Sequence, residues 1–254
     1  MVIKNRTLGY SAIQGFYWMG YASIMGFASV FLLNVGFDNS QVGLLIAAAG
    51  LLSALLQPLA AAYADRPKSM ALKWIIFLLT ALCFGGSLVL MTAGGQKIVA
   101  GLCYGLCMVL LQLTTPLVNA LGIATVNSGE KMNFGVARGF GSLGYGVAAY
   151  LIGVLTDSKG AGAVPLCMGA TLLVLLLVTL DYKKVKRIPE TPKAAAPAQG
   201  GFLHRYPRYC LVLVGLVFLF ISHVVLNSFT YQIVVYKGGD SAQMGKAMAF
   251  ASLL

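Results

Sequence analysis

Long stretches without a charged residue recur along the chain and limit its fold more than any other feature. Seven such runs cover 7–37, 39–64, 74–96, 98–129, 139–156, 160–180 and 209–236. Each is close to or above the roughly 20 residues that a helix needs to cross the hydrocarbon core of a bilayer. Strands of a membrane barrel would alternate polar and apolar residues in short segments, and these runs do not. The sequence therefore predicts an all-α polytopic membrane protein.

We expect eight membrane helices, called span 1 to span 8 in chain order. Their predicted cores are 10–33, 42–63, 72–91, 98–124, 134–155, 162–181, 209–235 and 242–254. The last core is too short to cross a bilayer, so seven spans are expected to be complete and the eighth partial. A signal peptide is not predicted, because the first apolar segment is longer than an h-region and no small-residue cleavage site follows it.

The distribution of charge excludes several classes of protein. Only 10 % of the residues are charged, with 18 Lys and Arg against 7 Asp and Glu, whereas a soluble domain has about 25 %. Soluble enzymes are therefore excluded. Nucleic-acid binding is excluded as well, because such a surface needs its basic residues on one solvated face.

The basic residues also predict the orientation in the membrane. With a cytoplasmic N-terminus, 13 Lys and Arg fall on the cytoplasmic side and 3 on the outer side, with Arg138 and Lys246 inside spans. This bias follows the positive-inside rule. We expect a multi-pass protein of the plasma (or inner) membrane whose N-terminus is cytoplasmic.

One polar segment divides the chain. Residues 182–208 combine basic residues with prolines and an Ala-rich stretch, a composition that cannot pack a core and predicts a cytoplasmic basic linker. The segment separates an N-terminal six-helix half, 1–181, from the start of a second half, 209–254.

A short internal repeat indicates that the second half restarts the first. Segments 36–52 and 238–254 share 8 of 17 residues without a gap, including Asp38 with Asp240 and a Gln three positions later in each copy. Both copies lead into an even-numbered span. Parallel six-helix repeats with a substrate site between them are a plan used by transporters. On this plan the chain is expected to be truncated within its second repeat.

Local motifs carry a family resemblance. The segment AAYADRPKSMALK (61–73) resembles the cytoplasmic gate motif Gly-x-x-x-Asp-Arg-x-Gly-Arg-Arg of the major facilitator superfamily, with Asp65 and Arg66 matching. Ala61 replaces the first Gly, and Pro67-Lys68-Ser69 replaces the Gly turn. The resemblance implies a six-plus-six helix transporter, in which Asp65, Arg66 and Lys68 belong to a charge relay that closes a cytoplasmic gate.

Three further segments narrow the resemblance to one branch. They are LLSALLQPLAAAYAD (51–65), PLVNAL (116–121) and FGVARGFGSLGY (134–145). Together they resemble the lactose permease, or oligosaccharide:proton symporter, branch and its nucleoside and phenylpropionate relatives. This branch usually places its proton-coupling acids in helices 7 to 10, and the predicted span 7 has none.

Arg138 is the main functional clue in the residues themselves. It lies in the predicted span 5, where a buried cation costs at least a few kcal/mol and normally faces a polar cavity or a partner. The alternative is that its side chain extends to the cytoplasmic head groups. Ser142 and Tyr145 follow at i+4 and i+7, on the same helix face.

Span 4 carries a polar stripe that could meet Arg138. Gln112, Thr115 and Asn119 fall at i, i+3 and i+7, and an antiparallel hairpin of spans 4 and 5 would bring Asn119 to the depth of Arg138. In the lactose permease resemblance, Arg138 matches the sugar-binding arginine and Tyr145 an aromatic residue that stacks on the sugar. Asn119 stands where that permease has a glutamate. The positive charge is then uncompensated, which favours a substrate with a carboxylate or carbonyl.

Spans 1 and 7 supply the remaining candidates. Gln14, Trp18, Tyr21 and Met25 form one aromatic and polar stripe on span 1, for which helix packing is the alternative interpretation. A second list comes from span 7: His223, Asn227 and Tyr231. His223 is either a neutral histidine bonded to a neighbouring helix or a protonatable coupling residue.

The favoured function is a proton-driven importer of a small polar organic solute, a sugar, nucleoside or organic acid, working as a monomer in the lipid bilayer without a cofactor or metal. A drug-efflux antiporter is the alternative, although the predicted span 5 lacks the proline typical of those relatives. A seven-helix receptor fits less well, because of the repeat and because span 7 has no lysine for retinal. A membrane enzyme would need motifs that the sequence does not contain.

Overall fold

The computed structural model describes residues 5–66, 68–93, 95–185 and 205–253. Spans 2 to 8 are single helices, at Asn39–Asp65, Leu72–Ala93, Lys97–Asn127, Phe134–Lys159, Ala163–Asp181, Pro207–Tyr236 and Ser241–Ala251. The first six of these are long and apolar enough to cross a membrane, which confirms the all-α polytopic membrane fold. Most of the expected linker, 182–208, lies outside the described residues.

Span 1 is bent. It runs as an α-helix over Arg6–Tyr21, as a π-helical turn over Ala22–Gly26 and again as an α-helix over Ala28–Asn34, with a bend of 41°. Phe27 leaves the helical conformation at the break, with φ −103° and ψ 16°. Taken as one span, the bent pair is the seventh membrane-length element among the described residues. Single π-turns of this kind occur often at functional sites.

Span 1 lies at the centre of the N-terminal half, between spans 4, 5 and 6. Its closest crossing is with span 5, at Gly15 and Gly144. A Cβ atom on Gly144 would lie 2.5 Å from the carbonyl oxygen of Gly15, so the two backbones touch directly. Small residues allow this approach between membrane helices. Spans 2, 3 and 6 surround this core, and span 2 turns side chains such as Leu44 and Leu51 outward.

The bundle has two chemically different ends. One end carries Arg6, Arg66, Lys131 and Lys183, and is called the basic end; the other carries the starts of spans 2, 4 and 8 and is called the opposite end. Spans 7 and 8 meet the N-terminal half towards the opposite end. There a Cβ atom on Gly153 of span 5 would lie 2.7 Å from the Ser241 carbonyl oxygen of span 8.

Span 7 makes its contact near the same end. The Ser29 hydroxyl of span 1 donates a hydrogen bond of 2.8 Å to the Ser228 carbonyl oxygen, and a Cβ atom on Gly43 of span 2 would lie 3.2 Å from the Phe229 ring. The part of span 7 before residue 228 is exposed. Within the described residues, the second half therefore touches the first towards one end of the bundle.

The internal repeat is also a structural repeat. Gly36 and Gly238 each adopt positive φ, at 95° and 81°, and each is followed two residues later by an Asp that caps the next span. The Asp38 carboxylate accepts from the Gln41 backbone N–H at 2.8 Å. The carboxylate of Asp240 accepts from the equivalent residue three positions on at 2.7 Å. Caps of this kind satisfy backbone donors at a helix start.

Candidate functional site

Arg138 lies half-buried on span 5, with its guanidinium over the indole ring of Trp18. The guanidinium carbon is 5.0 Å from the ring centroid, a cation–π contact of about 0.5–2 kcal/mol. Gly141 makes room for the indole, because a Cβ atom there would lie 2.5 Å from Trp18 Cδ1. Arg138 makes no hydrogen bond or ion pair with any described residue.

A directed chain of hydrogen bonds holds Trp18 in place. Its indole Nε1 donates to Gln14 Oε1 at 3.1 Å. Gln14 is fully buried, and its Nε2 donates to the Tyr10 hydroxyl at 2.6 Å and to Asn119 Oδ1 at 3.4 Å. The Tyr10 hydroxyl donates in turn to the Val118 carbonyl oxygen at 3.0 Å.

These contacts join three spans in one polar group, the Arg138 cluster, formed by Gln14, Trp18, Asn119 and Arg138. Asn119 and Arg138 are not neighbours across a simple hairpin, because span 1 lies between spans 4 and 5 and packs extensively on span 5. The sequence analysis took adjacent helices in the chain to be adjacent in space. The close Gly15–Gly144 crossing replaces that contact, and Gln14 and Trp18 provide the connection.

The other two polar residues of span 4 are placed differently. The Thr115 hydroxyl is hydrogen-bonded to the hydroxyl of Tyr17, so span 1 engages it. Gln112 accepts from Gln57 Nε2 at 3.2 Å through its backbone oxygen, while its own side-chain Nε2 is buried without a partner in the described part of the chain. Gln112 Nε2 is thus a donor available to a bound molecule.

Tyr21, Met25 and Tyr145 extend the site from the Arg138 cluster towards the bend of span 1. The Tyr21 ring centroid lies 5.0 Å from that of Trp18. A Cβ atom on Gly26, next to Met25, would lie 3.3 Å from the Tyr145 hydroxyl, so Tyr145 reaches the π-turn. Ser142 is exposed on span 5.

The candidates on span 7 are not joined to the Arg138 cluster in this arrangement. The Asn227 side-chain nitrogen is 3.1 Å from His223 Nε2 and donates to the His223 carbonyl oxygen at 2.8 Å. Both residues are exposed, whereas Tyr231, nearer the opposite end, is half-buried. His223 is thus engaged by its own helix.

The predicted gate residues Asp65, Arg66 and Lys68 are exposed at the basic end, where span 2 stops. The turn that follows is closed by local bonds, among them one of 3.1 Å from the Ser69 hydroxyl to the Ala64 carbonyl oxygen. The described contacts place this turn at the membrane surface rather than in the Arg138 cluster.

The basic end also holds a polar clasp that sequence reasoning missed. Arg6 is 8 % exposed and pairs with Glu130 at 2.8 Å. It also donates to the Lys183 carbonyl oxygen at 2.9 Å, and its guanidinium lies over the Tyr182 ring. Hydrogen bonding from Arg6 lowers the pKa of the Glu130 carboxyl. We call this group, Arg6, Glu130, Tyr182 and Lys183, the basic-end clasp; it ties span 1 to the 4–5 loop and to the end of span 6.

Comparison with known proteins agrees with this architecture. One solved structure, "Crystal structure of nucleoside transporter NupG", superimposes with a TM-score of 0.71 over 97 % of this chain, at 15 % sequence identity. The chain spans 64 % of the length of that transporter, and at this identity the likeness shows the fold. No curated protein matches the chain.

A family model provides the assignment. Its match extends over residues 10–254 and so includes every described span and the Arg138 cluster. The chain belongs to the MFS_1 like family, within the major facilitator superfamily.

Proposed function

We propose that this protein is a secondary active transporter that imports a small polar organic solute together with protons by alternating access. It is not an enzyme on this proposal, and it acts as a monomer in the plasma membrane with its N-terminus in the cytoplasm. The observation that carries the proposal is the unpaired cation Arg138, held by a buried network inside a bundle of this family.

The placement of the halves supports alternating access. Span 8 seals against span 5 through Gly153, and span 7 bonds to span 1 through Ser228, both towards the opposite end. The exposed earlier part of span 7 leaves the basic end open. With the basic end in the cytoplasm, this is an inward-open arrangement, and rocking of the halves about the Arg138 cluster would expose the site to the other side.

The basic-end clasp supports a rigid rocking unit. Arg6 connects spans 1 and 6 with the loop between spans 4 and 5, so these elements would move together. The exposed Asp65, Arg66 and Lys68 then lie where the second half would approach when the basic end closes, as the family motif implies.

Uptake by the intact protein in proteoliposomes tests the proposal. A screen of sugars, nucleosides and organic acids by thermal stabilisation selects the solute, and its uptake is then followed with an imposed pH gradient. We expect uptake to alkalinise the medium and to stop in Arg138→Ala, while Lys159→Ala, which removes a cation at the other end of span 5, retains it. Uptake that is indifferent to a protonophore would refute proton coupling, and unchanged uptake by Arg138→Ala would refute the site.

A further inference from the structure

We propose that the Arg138 cluster is a donor-only site, so that the transported solute is an organic anion recognised through a carboxylate. The inference rests on the proposed transport function and adds the chemical class of the substrate. Gln14 and Tyr10 are its positioning residues, because they determine which end of the Asn119 amide faces the site.

The orientation of Gln14 follows from Trp18. An indole N–H can only donate, so the group that lies 3.1 Å from it must be the oxygen of the Gln14 amide. The Gln14 nitrogen then points the other way, and both of its hydrogens are used. One meets the Tyr10 hydroxyl and the other meets Asn119.

The orientation of Asn119 follows from Gln14. A donating nitrogen on Gln14 requires an acceptor opposite it, and Asn119 supplies its Oδ1 at 3.4 Å. The Asn119 oxygen is therefore occupied, while its Nδ2, with two N–H donors, makes no hydrogen bond to any described residue. The Tyr10 hydroxyl cannot reverse this chain, because it donates to the Val118 carbonyl oxygen.

Arg138 adds further donors and a full charge. A guanidinium has five N–H donors and no acceptor, and none of the five is bonded within the described residues. The six described acidic residues lie in loops or within three positions of a span end: Asp38, Asp65, Glu130, Asp157, Asp181 and Asp240. No described carboxylate thus neutralises Arg138 inside the bundle.

A site of this composition distinguishes solutes by their acceptors. A carboxylate offers two oxygens to the fork of Arg138 and can also accept from Asn119 Nδ2. A sugar hydroxyl is recognised best by a donor and an acceptor together, and the cluster has no free acceptor to give it. Buried polar groups left unpaired reject the wrong ligand strongly.

Matched pairs of compounds test the inference on the purified intact protein. Each pair shares a scaffold and differs in a carboxylate: benzoate with benzamide, galacturonate with galactose, and orotidine with uridine. Dissociation constants are measured by calorimetry, which does not depend on transport. We expect the acid of at least one pair to bind at least about tenfold more tightly than its neutral partner, equivalent to 1.4 kcal/mol.

Two variants test the origin of the preference. Asn119→Asp places a carboxylate beside Arg138 and should remove the preference for the acid while neutral compounds bind as before or better. Trp18→Phe keeps a ring under Arg138 but removes the N–H that orients Gln14, and should reduce the preference by less. Val147→Ala, at an exposed position on span 5, is the matched control and should leave both constants unchanged.

The outcomes separate the inference from the proposed function. Equal or tighter binding of the neutral compounds, no binding by any of the three acids, or an unaltered preference in folded Asn119→Asp and Trp18→Phe would overturn the donor-only site, even if uptake of a neutral solute is observed. An acid preference that both variants reduce supports it. A protein that binds the acid but transports nothing would leave the site standing and refute the transport proposal.

Discussion

The indole ring of Trp18 lies directly under the guanidinium of Arg138, with 5.0 Å between the guanidinium carbon and the ring centroid. The two residues belong to spans 1 and 5, which cross closely enough for their backbones to touch. The pair therefore reports on the helix crossing itself. Whatever separates spans 1 and 5 also withdraws the ring from the charge.

Gly141→Ala should disrupt this pair. The added Cβ atom would lie 2.5 Å from Trp18 Cδ1 and 3.3 Å from Arg138 Nη1, so the indole must move. Overpacking of this kind costs about 1–3 kcal/mol, and we expect a lower unfolding temperature together with weaker solute binding. Gly139→Ala is the control, since nothing lies within 4 Å of its Cβ position. Equal behaviour of the two variants in thermal unfolding would contradict the packing described.

Arg138→Lys should impair uptake although it retains the positive charge. Lysine offers a point charge and lacks the planar fork that can engage two oxygens at once, and its ammonium stacks less well on Trp18. We expect KM to rise at least tenfold while the amount of folded protein in the membrane is unchanged. Initial uptake rates over a range of solute concentrations provide the measurement, and a normal KM would show that only charge matters at this position.

Gly153→Leu should open the end of the bundle that is sealed by span 8. Even a Cβ atom there would lie 2.7 Å from the Ser241 carbonyl oxygen and 2.9 Å from Gly245 Cα. The buried Met248 then becomes accessible. In a background with the five native cysteines changed to serine, Met248→Cys should react faster with a membrane-impermeant thiol reagent when Gly153→Leu is present. Gly215→Leu on span 7, which has open space at its Cβ position, should leave the labelling rate unaltered.

Glu130→Gln should remove a pH-dependent part of the stability. The hydrogen bond from Arg6 lowers the pKa of Glu130 below its ordinary value of 4.5, so the ionised form is favoured in the folded state. Stability from this pair is therefore present above pH 4.5 and is lost as the pH falls through the lowered pKa.

Thermal unfolding at several pH values checks this expectation. The unfolding temperature of Glu130→Gln should be below that of the unaltered protein at pH 7, and the two should converge in acid. Asp157→Asn, which removes an exposed carboxylate near the end of span 5, should track the unaltered protein. A constant difference between Glu130→Gln and the unaltered protein at all pH values would show that the charge of Glu130 is irrelevant.

The spans themselves were predictable because a membrane imposes one physical requirement on all of them. The uncharged run 98–129 predicted a core at 98–124, and the helix extends over Lys97–Asn127. Hydropathy separates membrane from water, and every span meets that boundary. The bend of span 1 was not predicted, since Ala22–Gly26 has no proline and its π-turn arises from packing against other helices.

The site was predictable in its residues but not in its connections. Arg138 stood out because a charge in a span is costly, and Gln14, Trp18 and Asn119 stood out as polar stripes. The order of helices around Arg138 depends on which backbones can approach, and the many glycines of span 5 leave several choices open. Tyr10 was missed because a tyrosine near a span end is ordinary in sequence. The clasp of Arg6 was missed because its partners are distant in sequence.

The two aspartate caps have a consequence for how the chain is made. Each cap uses a partner only three residues away, at Gln41 for Asp38 and at Gln243 for Asp240, so it can form as soon as that short stretch has been synthesised. The first turn of span 2 and that of span 8 can therefore be laid down during translation by the same local signal. The later segment does not have to wait for the earlier one to find its place in the membrane.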